Sequence, residues 1–281
     1  MKDRVLTKNH VHQFAAFLCR EEKSAATQEK YLRDIYRFAE FAADKAITKE
    51  VTTAWKKRLL EQGYAVRSVN SMLASLNSFL DFWGWNECKV KNLRLQRPVY
   101  CAEDKELTKN EYLRLLAAAE QNEQLRLVMQ TICATGIRVS ELRYFTVEAM
   151  RCGEITVYCK NKTRTILVPS RLKKMLMDYA YRNHIYGGAI FLSRCGKPMD
   201  RSCIWRQMKQ LCRKARVKES KVFPHNLRRL FARTFHGAEK DIVKLADVLG
   251  HSSINTTRIY VMTPGKEHRR RIERLGLLIQ A

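Results

Sequence analysis

The spacing of apolar residues divides the chain into segments with different periods. Tyr31, Leu32, Ile35, Phe38, Ala39 and Ala42 form one helical stripe. Thr48 is placed to cap a helix carrying Val51, Trp55 and Leu59, which stops at Gly63. A third run, Ser68 to Trp83, aligns Val69, Met72, Leu73, Leu76, Phe79, Leu80 and Trp83 before Gly84 ends it. The helical period is lost across 88–105, where Pro98 has no amide hydrogen for a helix interior. Two domains are therefore expected, 1–97 and 106–281, joined by a linker at 98–105.

Thr108-Lys-Asn-Glu111 is a capping box that opens the second domain, and Gly136 stops a helix running from Leu125 to Thr135. Between Glu154 and Pro169 two β-rich runs flank a short polar turn, which predicts a hairpin. The helical period returns at Ser170 with Leu172, Met175, Leu176 and Tyr179, and Pro224 suits another helix start. A last stripe at 242, 245, 248 and 249 ends at Gly250, a C-terminal cap position. No internal repeat or low-complexity segment interrupts this order. The expected fold is mainly α with one small antiparallel β-sheet.

Composition adds the partner. The 281 residues suffice for two cores, and 46% hydrophobic content supports globular folding. Lys and Arg number 53 against 28 acids, a formal charge of +25. Such an excess bears on partners and not on fold, and nucleic acid comes before an anionic membrane surface. No apolar run is long enough to span a bilayer and the polar Met1–His10 lacks a signal-peptide pattern, so the chain is expected to be cytoplasmic. Lys30, Arg33, Arg37, Lys56, Lys57, Arg58 and Arg67 lie between the N-terminal stripes. Singly they read as solvated charges; together they suit a helical module lying on a DNA backbone. Nine cysteines include no Cys-x-x-Cys pair, and Cys19 and Cys133 sit in apolar helical runs, so reduced and mostly core thiols are expected. The seven histidines do not cluster apart from His10 and His12, and neither a metal nor a cofactor is expected.

The candidate chemistry lies in the second domain. His251 follows the Gly250 cap, and Tyr260 comes nine residues later. Alone they read as a loop residue and a half-buried aromatic, since a phenol is a poor nucleophile without a base and a stabilising field. Arg138 lies just past Gly136, where a helix can restart, and Glu141 one turn on can hold its guanidinium. An isolated Arg-x-x-Glu is more often a surface ion pair. A lysine at the hairpin tip, Lys160 or Lys162, is ordinarily solvated but could donate a proton in a DNA groove. His225 and Arg228 are one turn apart after Pro224, a spacing that suits a phosphate clamp or a structural pair.

Ala134-Thr-Gly-Ile-Arg-Val-Ser-Glu-Leu142, Pro224-His-Asn-Leu-Arg228 and Leu249-Gly-His-Ser-Ser-Ile-Asn-Thr-Thr-Arg-Ile-Tyr260 occur in order, with the lysine hairpin between the first two. This ordered set resembles the tyrosine recombinase (phage integrase) family, especially its two-domain Xer-like and mobile-element members. The resemblance implies an N-terminal helical core-binding bundle and a catalytic domain closing as a clamp around duplex DNA. It implies that Tyr260 attacks the scissile phosphate to leave a 3′-phosphotyrosyl link and a free 5′-hydroxyl. Arg138 and Arg228 would grip the non-bridging oxygens, His251 would donate a further hydrogen bond, and His225 would accept the tyrosine proton. Glu141 would orient Arg138, and the hairpin lysine would protonate the departing 5′-oxygen.

The family hairpin reads Gly-Lys-Gly-Asn-Lys, and Cys159-Lys160-Asn161-Lys162 is one residue shorter. Alignment from the left selects Lys160; counting back from Pro169 leaves Lys162 open. Arg229 stands where family members often have histidine. The family further implies a homotetramer on double-stranded DNA, accessory DNA-bending or directionality proteins, and strand exchange without metal or ATP. Consistent with the last, no Gly-x-x-x-x-Gly-Lys-Ser/Thr loop occurs. The final segment, with Leu275, Leu277, Leu278 and Ile279, would fold back on its own domain or dock on a neighbouring protomer. The alternatives are relaxation by a type IB topoisomerase-like enzyme and a DNA-binding regulator without chemistry.

Overall fold

The structure is a computed structural model that describes residues 4–95, 106–159, 162–262 and 265–275, without the side chains of 159, 162, 266–268 and 271. Two units are distinguished, Met1–Arg97 and Pro98–Ala281. The expected linker, 98–105, lies outside the described residues.

In the first unit four helices, α1 (Lys8–Arg20), α2 (Ala25–Ala42), α3 (Lys49–Glu61) and α4 (Val66–Phe82), bury Phe14, Leu18, Ile35, Phe38, Leu59, Leu73, Leu76 and Phe79 against one another. Thr48 caps α3 by accepting the Val51 amide hydrogen. Asp34 is buried among these apolar side chains, where an unpaired carboxylate would be costly. It accepts from the Ser75 hydroxyl at 2.9 Å and pairs with Lys30 at 2.9 Å, tying α2 to α4.

The second unit runs α5 (Lys109–Ala118), α6 (Glu123–Thr135), a 3-10 turn Val139–Tyr144, α7 (Val147–Cys152), β1 (Glu154–Cys159), β2 (Lys162–Leu167), α8 (Ser170–Arg182), α9 (Arg201–Ala215), α10 (Pro224–Glu239), α11 (Ile242–Leu249), α12 (Ile254–Val261) and α13 (Gly265–Glu273). The box at Thr108 and Glu111 caps α5 reciprocally. The two strands pair antiparallel, in register from Glu154 opposite Leu167 to Cys159 opposite Lys162. Ile155, Val157 and Ile166 face inward while Thr156, Tyr158 and Leu167 are exposed, the period of two expected of a half-buried hairpin. Val128, Ile132, Phe145, Leu176, Met208 and Leu227 belong to the main core. A separate small cluster joins α10, α11 and α12 through Ala232, Leu245, Leu249 and Tyr260.

Three expectations are corrected. Val248, placed in the buried stripe of α11, is exposed, because the buried arc centres on Leu245, Ala246 and Leu249. The thiols are not mostly core: Cys19, Cys152 and Cys195 are exposed, while Cys88 and Cys212 are buried. Cys19 lies about 100° around α1 from buried Leu18, which turns it to solvent. Gly136 is followed by a 3-10 turn, not by a restarted α-helix. Ile272 and Leu275 in and after α13 are exposed, and Leu277, Leu278 and Ile279 lie outside the described residues. Among the described residues no helix is long and apolar enough to cross a membrane.

Candidate active site

The site is assembled around the end of α6. Gly136 adopts φ +64°, and a Cβ there would lie 2.3 Å from Phe231 Cδ1 and 3.1 Å from Leu249 Cδ2. Only glycine permits both that backbone conformation and this approach to α10 and α11. Its carbonyl accepts from Arg228 Nη1 at 2.5 Å. In the turn that follows, buried Glu141 accepts the Arg138 amide hydrogen at 2.7 Å and Arg138 Nη1 at 3.0 Å. It also accepts Arg164 Nη2 at 2.6 Å. Burial by itself would raise the Glu141 pKa, but the Arg138 amide and the guanidinium charges of Arg164 and Arg138 hold it below the usual range.

Arg164 was not among the residues singled out from sequence. The one available signal was its place two residues before Ile166, on the inward face of β2, where a cation requires a buried partner.

On α10 the two residues one turn apart, His225 and Arg228, differ in depth. His225 is exposed, whereas Arg228 is only 1% exposed and is the largest fully buried side chain among the described residues. Besides Gly136, its guanidinium donates from Nη2 to the Leu249 carbonyl at 2.7 Å and to His251 Nε2 at 2.9 Å. Burial, with Arg138 close by, lowers its pKa to about 10, which still leaves it cationic at neutral pH.

Because arginine only donates, His251 Nε2 carries the lone pair. Its Nδ1–H then donates to the hydroxyl of buried Thr257 at 2.9 Å, a partner also missed from sequence. Desolvation, followed by the charges of Arg228, Arg138 and Arg164, brings the His251 pKa down to about 4. His225 is exposed as a residue, yet desolvation of its ring beside Tyr260, followed by the charges of Arg229 and Arg228, likewise lowers its pKa to about 4. Both imidazoles are therefore neutral bases at physiological pH.

Tyr260 is buried on α12. Its ring centroid lies 5.2 Å from that of His225 and 5.0 Å from that of His251, and the Arg228 guanidinium is 5.9 Å from it. Arg138 Nη2 reaches the Gly250 carbonyl at 3.4 Å, which links the first arginine to the loop that carries His251. Arg138, Glu141, His225, Arg228, His251 and Tyr260 thus form one continuous cluster. Beside them a hollow of about 220 Å³ is lined by Arg138, Arg164, Gly250, His251 and Ser252 among others. Asp247 also lines it and Glu141 pairs with both arginines, so it is the third guanidinium, that of buried Arg228 on the other side of His251, that leaves a net positive charge suited to an anion.

Lys160 and the side chain of Lys162 lie outside the described residues; the strand pairing next to them is described as far as Cys159 and Lys162. Among the described residues no three His, Cys, Asp or Glu side chains gather as a metal would need.

In the first unit the basic residues are disposed in different ways: Lys57 pairs with Glu61 and Arg58 lies over the Phe41 ring. Lys30 and Lys56 are taken up internally, by Asp34 and Ser75 and by the Lys91 carbonyl. Arg33, Arg37 and Arg67 line an open depression together with Lys30, Asp34, Tyr64 and Ser68.

Residues 105–265 match the phage integrase family, and residues 11–87 match the phage integrase N-terminal SAM-like domain. The chain is 28% identical over 288 residues to tyrosine recombinase XerA of Pyrococcus furiosus, covering 99% of this chain and 98% of the relative. Its fold is similar to that of a lambda integrase dimer bound to a COC′ core site, with TM-score 0.75, 19% identity and coverage of 94% of this chain and 79% of that one. It is also similar to a lambda integrase tetramer bound to a Holliday junction, with TM-score 0.73, 20% identity and coverage of 92% and 78%.

Proposed function

Since the chain belongs to the phage integrase family, we propose that it cuts and rejoins DNA through Tyr260, with the arginines and histidines around that ring as its catalytic set. The chain is a tyrosine-type site-specific DNA recombinase, and the assignment of roles follows the chemistry of the groups. The Tyr260 oxygen bonds to the scissile phosphorus as the bond from phosphorus to the 5′-oxygen breaks. The phenolic proton goes to His225, a neutral base whose ring lies 5.2 Å from the tyrosine ring. The 5′-oxygen takes a proton from the hairpin lysine, assigned to Lys160. Arg138 and Arg228 stabilise charge on the non-bridging oxygens, each contributing about 3 kcal/mol. Arrival of an anionic phosphate raises the His251 pKa, and a proton on Nε2 then lets that atom donate to the phosphate in place of accepting from Arg228. The phosphotyrosyl link preserves the phosphodiester energy, so a returning 5′-hydroxyl can reverse the step without nucleotide hydrolysis.

The observation that supports this reading best is a buried tyrosine ring between two histidines whose pKa values are both lowered to about 4 by burial and surrounding arginines. The proposal extends to assembly. Because lambda integrase is described as a dimer on a core site and as a tetramer on a Holliday junction, this chain is assigned a homotetramer on duplex DNA. Accessory DNA-bending or directionality proteins would set the direction of exchange. Exposed Ile272 and Leu275 would then meet a neighbouring protomer. The test is incubation with a random-sequence pool of nicked suicide duplexes, followed by capture and sequencing of covalent adducts. Wild-type protein should yield an adduct at a defined site and Tyr260→Phe should yield none. An adduct that persists in the Phe variant refutes the nucleophile.

A further inference from the structure

We propose that Arg164 is a positioning residue that seats the β1–β2 hairpin beside the phosphate hollow, and that protonation of the leaving group, which the strand-transfer reading above gives to a hairpin lysine, depends on that seating; the proposal rests on that reading. The sheet has only two strands among the described residues, so no third strand holds either edge. A hairpin of that kind is marginally stable by itself, and its placement depends on side chains. Arg164 supplies such an attachment from the inward face of β2. Its Nη2 donates to Glu141 Oε2 at 2.6 Å and its Nη1 to the Val248 carbonyl at 2.6 Å. One guanidinium therefore joins the hairpin to the turn that holds Arg138 and to the end of α11, immediately before His251.

The stem of the same side chain passes over Gly250, where an added Cβ would lie 2.5 Å from Arg164 Cδ. That close crossing holds the hairpin and the His251 loop in register. Both terminal nitrogens of Arg164 already have fixed acceptors within the protein. In contrast, Arg138 Nη2 reaches its carbonyl only at 3.4 Å and is more readily turned to an incoming phosphate. Arg228 also has fixed acceptors, so the assignment of Arg164 to the hairpin rests on its span from β2 to Glu141 and Val248, and the experiment below separates it from a direct phosphate contact. A lysine could not span the two acceptors, because it lacks the planar fork that presents two donors at once.

The separating experiment uses two versions of a nicked suicide duplex bearing the captured target site. One has the ordinary 5′-bridging oxygen; in the other that oxygen is replaced by sulfur, so the leaving group departs as a thiolate without needing an acid. Arg164→Met should slow single-turnover cleavage of the oxygen duplex by about 100-fold, the scale of an ångström-level misplacement, and the sulfur duplex should recover most of that loss. Arg164→Lys, which keeps the charge and the stem, should show the same preference in milder form and serves as the test variant if the Met variant fails to fold. Lys160→Met and Lys162→Met identify the acid by the same rescue.

Equal loss on the two duplexes would overturn the proposal in favour of a direct phosphate contact or a role in stability alone. Undiminished cleavage of the oxygen duplex would also overturn it, as would failure of sulfur to rescue either lysine variant. Wild-type protein that forms no adduct with either duplex would instead refute the strand-transfer reading.

Discussion

Replacing Thr257 with Val removes one hydroxyl from the interior of the site while keeping the branched shape of the side chain. Thr257 is buried, and its oxygen accepts from His251 Nδ1 at 2.9 Å. An orphaned buried donor costs about 1–3 kcal/mol. The imidazole cannot escape by moving its proton to Nε2, because that atom faces the Arg228 Nη2 donor at 2.9 Å and two donors would then oppose each other. The ring must turn, which loosens His251 from Arg228 and spoils the orientation needed at the phosphate. If the whole cost reaches the transition state, cleavage falls about tenfold to a hundredfold, at about 1.4 kcal/mol per factor of ten. Single-turnover adduct formation on the suicide duplex measures the loss, and thermal unfolding measures the accompanying destabilisation. Thr257→Ser retains the hydroxyl and should cleave at close to the wild-type rate despite the missing methyl. Wild-type cleavage by Thr257→Val, or equal slowing by the Ser and Val variants, would show that this hydrogen bond does not orient the histidine.

Gly136→Ala forces an alanine to φ +64° and against Phe231, and the strain of about 1 kcal/mol plus about 1–3 kcal/mol of overpacking should lower the melting temperature and displace the carbonyl that holds Arg228. Unchanged melting would contradict that close approach. Glu141→Gln removes the buried negative charge shared by Arg138 and Arg164, and urea unfolding should register a loss of about 3–5 kcal/mol. His225 and His251 titrate near 6.5 when unfolded and near 4 when folded, so the stability they contribute is complete above about 6.5 and is lost as pH falls towards about 4. Cleavage that uses His225 as its base should not fall on the acid side until the same region, and an acid-side midpoint near 6.5 would refute the assignment of His225 as a neutral base. The triple alanine variant of Arg33, Arg37 and Arg67 should weaken DNA binding in a titration series across salt concentrations, reducing the slope by about one for each phosphate that is no longer neutralised; an unchanged slope would remove the depression from the DNA surface.

Much of the fold was legible because its cues are local. The periodic stripes of α2, α3 and α4, the box at Thr108 and Glu111, the alternation from Glu154 to Leu167 and the caps at Gly136 and Gly250 each involve residues within a few turns of one another. The spaced words around Arg138, His225, Arg228, His251 and Tyr260 were legible for a different reason: each lies on a short segment whose order along the chain identified it. Misreadings arose where a local pattern carried no information about depth. Val248 fits its stripe yet is exposed, and Cys19 lies in an apolar run yet faces solvent. For Arg228 the spacing left a phosphate clamp and a structural pair open, and only the fold seals it inside.

Linear order therefore determined which helices form, where they stop and which side chains are chemically able to meet a phosphate. Tertiary structure alone decided that Arg228 is enclosed by carbonyls from positions 136 and 249. It likewise decided that Arg164 joins Glu141 to the carbonyl of Val248, 84 residues from the arginine, and that Thr257 accepts from the His251 ring whose tautomer Arg228 fixes. The physical reason is that periodicity and capping depend on neighbours along the backbone. Burial, hydrogen-bond partners and shifted pKa values depend on groups that become neighbours only once the chain has folded.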